Sequence, residues 1–461
     1  HDKLSKMKFL DPACGCGNFL VIAYRELRLI EIEILKEKNG KEQVQQVLDI
    51  SHLSKINVDQ FYGIEINDFA VRVAQTALWI AQLQANNASE MLLNLNIEDF
   101  PLTDTPNIMI GNALREDWNE LLPAQKCDYV MGNPPFLGAR NQSEEQKAEL
   151  MEVFGNSKNS GNVDYVSGWY IKAADYINSC SIRCAFVSTN SICQGEQVAN
   201  IWHPLYERGI HIDFAHDTFR WGNEASDQAH VFCVIVGFSK LGGKKRLFHH
   251  YGPDDQAVEM LPGNINAYLK DAPDVFVWNR SKALCNVPKI GIGNQPIDGG
   301  FFLFKKEEKE AFLAEEPEAA PYFHPWLGSE EFINSKQRWV LWLGDASPAE
   351  LKRLPKCREQ ILKVRDFRLS SKRVSTRKLA DRPTRFLVEN MPKGNSILIP
   401  EVSSERRRYI PMGFVGPDTF CSNLVRLIPD ATLYHYGILQ SQMHNAWMRT
   451  VCGRLESRYR Y

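Results

Sequence analysis

The sequence predicts an α/β fold. A mostly parallel sheet covered by helices comes first, then a second, mostly β (α+β) domain and a short helical tail. Three observations predict it. Short apolar runs alternate with stretches of helical spacing through the first half of the chain, the pattern of strand–helix–strand units. Several of those runs close on a turn of small or polar residues: Asp11 to Leu20 (DPACGCGNFL), Gly111 to Leu114 (GNAL) and Asn133 to Phe136 (NPPF). After Lys240 the texture changes to short runs rich in Gly, Pro, Arg and aromatic residues.

The elements follow in order. Met7 to Leu10 reads as a strand, and the glycine turn after it opens a helix. Leu20, Tyr24, Leu27, Ile30, Ile34 and Leu35 recur at three- and four-residue spacing, and Asn39-Gly40 should stop the run. A second helix is expected from Glu42 to Leu53. Gln60 to Ile66 is a strand ending in an acid, and Asp68 to Gln84 a helix. Strands are expected at Asn107 to Ile110 and Asp128 to Gly132. A polar segment, Gly138 to Gly161, precedes a helix from Tyr165 to Asn178. Further strands fit Arg183 to Ser188, Ile210 to Phe214 and His230 to Phe238. Leu241 to Lys245 marks a boundary. The expected organisation is therefore a first domain at 1–245, a connector at 246–290, a second domain at 291–428 and a helical segment at 429–461. Within the second domain, strands fit Trp339 to Leu343 and Phe386 to Val388, and one helix fits Pro348 to Arg368.

Composition narrows the class. Of 461 residues, 44% are hydrophobic and 24% charged, as in ordinary globular proteins. No apolar run approaches the roughly 20 residues of a membrane helix. The eleven cysteines are scattered, and Cys14-x-Cys16 and Cys180-x3-Cys184 lack the second pair of a zinc site. No metal is expected, and reduced thiols imply the cytoplasm. Net charge is only −2, but Ser335 to Tyr409 holds 19 Lys and Arg against 8 Asp and Glu, a net +11, leaving −13 for the remainder. Arg365, Arg368, Lys372 and Arg373 form one basic run there, and Arg406, Arg407 and Arg408 another. Such a segment is a candidate phosphate-binding surface.

The turns carry the chemistry. Gly15 and Gly17 permit tight backbone geometry and close approach to a ligand. Asp11 suits the amino group of a cationic amino acid. The fuller pattern D-P-A-C-G-x-G-x-F/L, with N-P-P-F about 120 residues further on, resembles the S-adenosylmethionine (AdoMet) dependent amino-methyltransferases of the gamma type, which act on adenine N6. More closely, Asp11 to Glu26, Gly111 to Trp118, Gly132 to Gly138, Asn190 to Val198, His216 to Phe238 and the tail Met443 to Tyr461 resemble the MmeI-like type IIL restriction–modification enzymes.

That resemblance implies a Rossmann-like AdoMet-dependent methyltransferase domain followed by a DNA target-recognition domain. It places AdoMet against Asp11, Pro12, Ala13, Gly15, Gly17, Asn18 and Phe19. Glu65 would take the ribose hydroxyls, Ile66 the adenine ring, and Asn112 with Ala113 the adenine amine. Many members carry Asp where this chain has Asn112; an amide oxygen also accepts there. Asn133 and the Pro134 carbonyl would accept the N–H bonds of the target amine, Pro135 would stiffen the loop and Phe136 would stack on the base. A base in a duplex must be flipped out to reach such a pocket. Phe219 or Trp221 would provide a second stacking ring, and Ser188 to Ser191 would line the same cleft. The partner implied is double-stranded DNA. Such enzymes also carry an N-terminal nuclease, a helical connector and a cofactor motif upstream of the first; none is visible here, and AdoMet binding by this stretch alone is expected to be weakened. Two other readings remain open: a methyltransferase acting on RNA or protein glutamine, and a DNA-binding module whose pocket is idle.

Overall fold

Along the first half of the chain run β1 (Phe9–Asp11), α1 (Asn18–Gln43), β2 (Phe61–Glu65), α2 (Asp68–Leu93), β3 (Asn107–Ile110), α3 (Trp118–Leu121), β4 (Tyr129–Gly132), α4 (Glu144–Val153), α5 (Ser167–Tyr176), β5 (Arg183–Thr189), α6 (Gly195–Glu207), β6 (His211–Trp221), β7 (Val231–Ser239), β8 (Arg246–Tyr251) and β9 (Gln256–Met260). This computed structural model describes residues 1–43, 54–93, 105–155, 158–177, 180–221, 231–252 and 256–461.

These strands form one sheet in the order β3-β2-β1-β4-β5-β7-β6-β8-β9. The first five pair in parallel, and β7 lies antiparallel between β5 and β6. β6 therefore runs in the same direction as β5, and the carboxyl ends of β1 to β6 share one edge. Central β1 is buried at all three positions. One face packs Phe9 and Phe61 under Leu20, Tyr24, Leu78 and Ala81 of α1 and α2. On the opposite face, Tyr170 of α5 meets Phe186, Trp202 and Phe238 in an aromatic cluster.

The chain divides into two compact units, His1–Trp278 and Asn279–Tyr461. The second holds β10 (Gly291–Ile292), β11 (Leu303–Phe304), α7 (Lys306–Glu315), β12 (Phe323–Leu327), α8 (Ser329–Asn334), β13 (Trp339–Leu341), α9 (Pro348–Arg353), α10 (Pro355–Leu369), α11 (Val374–Leu379), β14 (Ser396–Pro400), β15 (Val402–Ser403), β16 (Gly413–Val415), β17 (Phe420–Cys421), β18 (Val425–Pro429), α12 (Leu433–Leu439), α13 (Gln442–Val451), β19 (Gly453–Leu455) and β20 (Arg458–Arg460). Its strands form two four-stranded sheets, β10-β18-β14-β16 and β11-β13-β12-β17, and the three-stranded β15-β20-β19. Its main core gathers Phe302, Phe323, Trp342, Val364 and Phe386.

Several elements differ from expectation. Helix α1 runs through Asn39-Gly40 to Gln43; one interior glycine costs only about 1 kcal/mol. The second helix expected to Leu53 falls almost wholly outside the described residues. The polar segment after NPPF contains α4, opened by a capping box in which Ser143 and Gln146 bond each other's backbone N–H groups. The expected helix Pro348 to Arg368 is two, because Pro355 lacks an N–H and turns Leu354 out of helical geometry. Phe386 to Val388 makes only a single bridge, Val388 to Gln295. In the expected connector, β8 and β9 instead extend the large sheet, with Leu247 fully buried. The tail adds the β19–β20 hairpin after its two helices.

Candidate active site

The sheet edge assembles two loops because β1 and β4 are neighbours. Asp11 ends β1 and is 1% exposed. Its Oδ1 accepts a hydrogen bond from Ala13 N at 3.0 Å. A Cβ added to Gly132 would lie 2.5 Å from that same oxygen. Only glycine lets the Asp11 carboxylate pack against the last residue of β4, one position before Asn133. Sequence reasoning missed Gly132; nothing in its neighbourhood signals a contact 121 positions away.

The loop after β1 takes the shape its glycines allow. Gly15 and Gly17 have φ of +53° and +83°, a left-handed backbone that side chains disfavour. Gly17 also lies against Ala74 of α2, where a Cβ would be 3.0 Å from the alanine's own. Ala13, Asn18 and Phe19 follow the turn into α1, and Pro12 is buried. Trp169 of α5 donates from Nε1 to the Pro12 carbonyl at 3.0 Å. Sequence reasoning missed Trp169 as well.

Glu65 ends β2 and grips the same loop. Its two oxygens accept from Gly15 N at 3.0 Å and Asn67 N at 2.9 Å. Each carboxylate oxygen keeps a further acceptor position. Ile66 and Phe69, just beyond, are 68% and 75% exposed, an apolar lip at the open edge.

Burial pushes the Asp11 carboxyl up to about 7; the Ala13 N–H opposes this and the Glu65 charge adds to it. The Cys14 thiol is likewise raised, chiefly by burial and then by Asp11. A cationic ligand beside Asp11 would favour the ionised form of this buried carboxyl.

After β4, Pro134 is buried, Pro135 exposed, and Asn133 and Phe136 half-buried. The Asn133 Oδ1 is buried with no hydrogen-bond partner. A solvent-excluded acceptor left unpaired costs about 1–3 kcal/mol, so a built loop that keeps one is poised for a donor from outside the protein. The loop is held from behind by Asp164, 3% exposed. Its Oδ1 accepts from Leu137 N at 3.0 Å, and its Oδ2 accepts from the Thr189 hydroxyl at the end of β5 at 3.1 Å. Leu137 O accepts from Tyr165 N at 2.9 Å. Asp164 sits in a stretch without a recognisable pattern.

Asn112 follows β3. Its Oδ1 accepts from Leu114 N at 3.0 Å and its Nδ2 donates to Glu149 Oε1 at 2.9 Å. The Ala113 carbonyl accepts from the Trp118 indole at 2.9 Å. Phe219 and Trp221 lie at the carboxyl end of β6, on the shared edge, and Asn190, just after β5, donates to the Thr218 hydroxyl at 3.4 Å. The Phe219 ring is 4.9 Å from the His250 imidazole and 6.2 Å from Trp221. Ser188 is taken by Tyr170, whose hydroxyl lies 2.8 Å away.

The basic candidates separate. Arg365 on α10, Lys372 and Arg373 before α11, and Arg406, Arg407 and Arg408 are exposed. Arg368 is not: it is fully buried and donates to five backbone carbonyls, those of Pro296, Ile297, Leu379, Arg382 and Arg385. Its expected phosphate contact is corrected to a structural role. The signal was present, since Cys357, Val364 and Arg368 share the buried face of α10 at helical spacing.

Residues 1–249 match the family model described as the MmeI DNA-methyltransferase domain, so the first unit is of the DNA-methyltransferase class. Residues 271–461 match the MmeI target recognition domain. The chain belongs to the MmeI family. It is 42% identical over its whole length to DNA methyltransferase A of Bacillus subtilis, covering 52% of that protein. A structure described as the type IIL restriction–modification enzyme MmeI in complex with DNA superposes on 100% of this chain and 62% of its own, with a TM-score of 0.93 and 47% identity. A shorter likeness, 32% identity over 164 residues, covers 30% of this chain and 13% of the adenine-specific methyltransferase PglX of Streptomyces coelicolor. The chain thus spans about half the length of the Bacillus subtilis relative. No described helix is long and apolar enough to cross a membrane.

Proposed function

We propose that this chain is the catalytic and recognition part of a site-specific DNA methyltransferase, acting on the N6 amine of an adenine flipped out of duplex DNA, within a restriction–modification or phage-defence enzyme. The observation that carries the reading is the buried, unpartnered Asn133 oxygen one residue from the glycine against which Asp11 packs. An exocyclic amine is a poor nucleophile because its lone pair is delocalised into the ring. Asn133 Oδ1 and the Pro134 carbonyl would accept its two N–H bonds and turn the lone pair outward. The proline pair keeps these acceptors preorganised. Phe136, with Phe219 or Trp221, would hold the extruded ring by stacking.

The residues present fit AdoMet. Asp11 would hold its amino group, Glu65 its ribose hydroxyls, Ile66 its adenine face and Asn112 its adenine amine, over the backbone of Gly15 and Gly17. When bound, AdoMet supplies the methyl group as an electrophile. The exposed arginines and lysines at 365, 372, 373 and 406–408 would meet DNA phosphates.

Tritiated AdoMet presented with duplex DNA, RNA and protein to the full-length protein tests the reading. Label in DNA adenine is expected; label confined to RNA or protein would overturn it. Affinity for duplex DNA should fall steeply with salt, as counterion release requires. A flat response would remove the basic surface from the account.

AdoMet affinity should also depend on pH. A cationic ligand favours ionised Asp11, so affinity rises with pH and levels off above about 7. Isothermal titration at pH 6 should give binding roughly tenfold weaker than at pH 8, and Asp11→Asn should flatten the profile. The apo protein should respond in the opposite sense. Its folded-state carboxyl lies above the ordinary 3.8, so the neutral form is favoured and stability declines as pH rises from about 4 to 7.

A further inference from the structure

The Asn112 amide is fixed at both ends. Its nitrogen donates to Glu149 Oε1 at 2.9 Å and its oxygen accepts from Leu114 N at 3.0 Å. A carboxylate only accepts and a backbone N–H only donates, so the amide cannot be turned over. Glu149, on α4, is 7% exposed. Its other oxygen accepts from the Tyr165 hydroxyl, and its charge is met by Arg115 at 2.6 Å. Arg115 also pairs with Glu145 at 2.9 Å. The segment between NPPF and α5 thus reaches back, through one carboxylate, to the turn after β3.

We propose that Glu149 is a positioning residue that orients the Asn112 amide at the cofactor edge and is the reason an amide, not a carboxylate, stands at position 112. An aspartate there would replace the N–H donor with a second carboxylate 2.9 Å from Glu149 Oε1, a like-charge repulsion that Arg115, already shared with Glu145, offsets only in part. The aspartate must take up a proton or swing away, and swinging away releases Leu114 N. With the nitrogen held by Glu149, the amide oxygen keeps one acceptor position beyond Leu114 N. The assignment of Asn112 to the cofactor rests on the function proposed above; the pairing with Glu149 does not.

The test is a four-member cycle on the full-length protein: wild type, Asn112→Asp, Glu149→Gln and Asn112→Asp with Glu149→Gln. Two readouts are taken at pH 8, apo thermal denaturation and AdoMet affinity by isothermal titration. Asn112→Asp is expected to lower the apo melting temperature and weaken AdoMet by roughly tenfold or more. Glu149→Gln alone should be the milder single variant: its amide oxygen still accepts from Asn112, while the charge facing Arg115 and the second acceptor for the Tyr165 hydroxyl are lost. The double variant should recover both readouts to within about threefold in affinity, because a glutamine amide donates to the new carboxylate. The Asn112→Asp defect should also shrink at pH 5, where the carboxylate pair can share a proton. A double variant no better than Asn112→Asp, or a harmless Asn112→Asp, overturns the proposal. If wild type binds no AdoMet, the functional reading fails instead, and the apo melting cycle still decides the pairing.

Discussion

Asn133→Ala should reduce methyl transfer by roughly 10²–10³-fold or more, while AdoMet and duplex DNA still bind. The side-chain oxygen is the acceptor proposed to draw the amine's N–H away from the ring, and alanine leaves that bond unmade. The apo protein should respond with the opposite sign. Asn133 Oδ1 is buried without a partner, so deleting it removes a desolvated polar atom, and stability is expected to hold or rise by about 1 kcal/mol. Loss of activity with gain of stability separates a reacting group from a packing group. Asn133→Asp keeps an acceptor oxygen and should retain measurable transfer, less than wild type because its charge sits one residue from the glycine covering Asp11. Single-turnover transfer, DNA affinity and thermal denaturation on the same preparations decide it. Parallel loss of DNA binding and activity would contradict the assigned role.

Local pattern was enough for the first unit's sheet edge. The apolar run before Asp11, the two left-handed glycines and the strand before Asn133 are each specified by residues within about ten positions, and periodicity reads such features directly. What holds them together is not local. Trp169 reaches Pro12 across 157 positions, Glu149 reaches Asn112 across 37, and Asp164 reaches Leu137 across 27. Each is a single polar bond between elements whose adjacency exists only after the sheet is ordered β3-β2-β1-β4-β5. Two features were legible and passed over. The capping pair Ser143 and Gln146 announces α4, and without α4 Glu149 has no fixed place. The spacing that buries Cys357 and Val364 also buries Arg368, but a cation in a basic run was read by its charge instead of its phase.

That phase sets the second large effect. Arg368→Ala is expected to destabilise the second unit by about 3 kcal/mol or more, because five backbone carbonyls lose their donor and each buried acceptor left unpaired costs about 1–3 kcal/mol. Burial lowers the guanidinium to about 10, with Asp298 opposing the shift, so it remains charged at neutral pH. Five carbonyls from two separate stretches, 296–297 and 379–385, converge on it at 2.8 to 3.1 Å. A planar fork with five N–H donors meets that arrangement; an ammonium, with three donors on one nitrogen, does not. Arg368→Lys should therefore recover only part of the loss. Urea denaturation followed by fluorescence should show the second unit unfolding earlier in both variants, with AdoMet affinity in the first unit retained. Arg365→Ala is the control on the same helix. Its side chain is exposed, so its stability should change by less than about 0.5 kcal/mol while duplex DNA affinity and its salt slope fall. If Arg368→Ala instead weakened DNA binding with no loss of stability, the buried role would be wrong and the phosphate contact first read from the basic run would return.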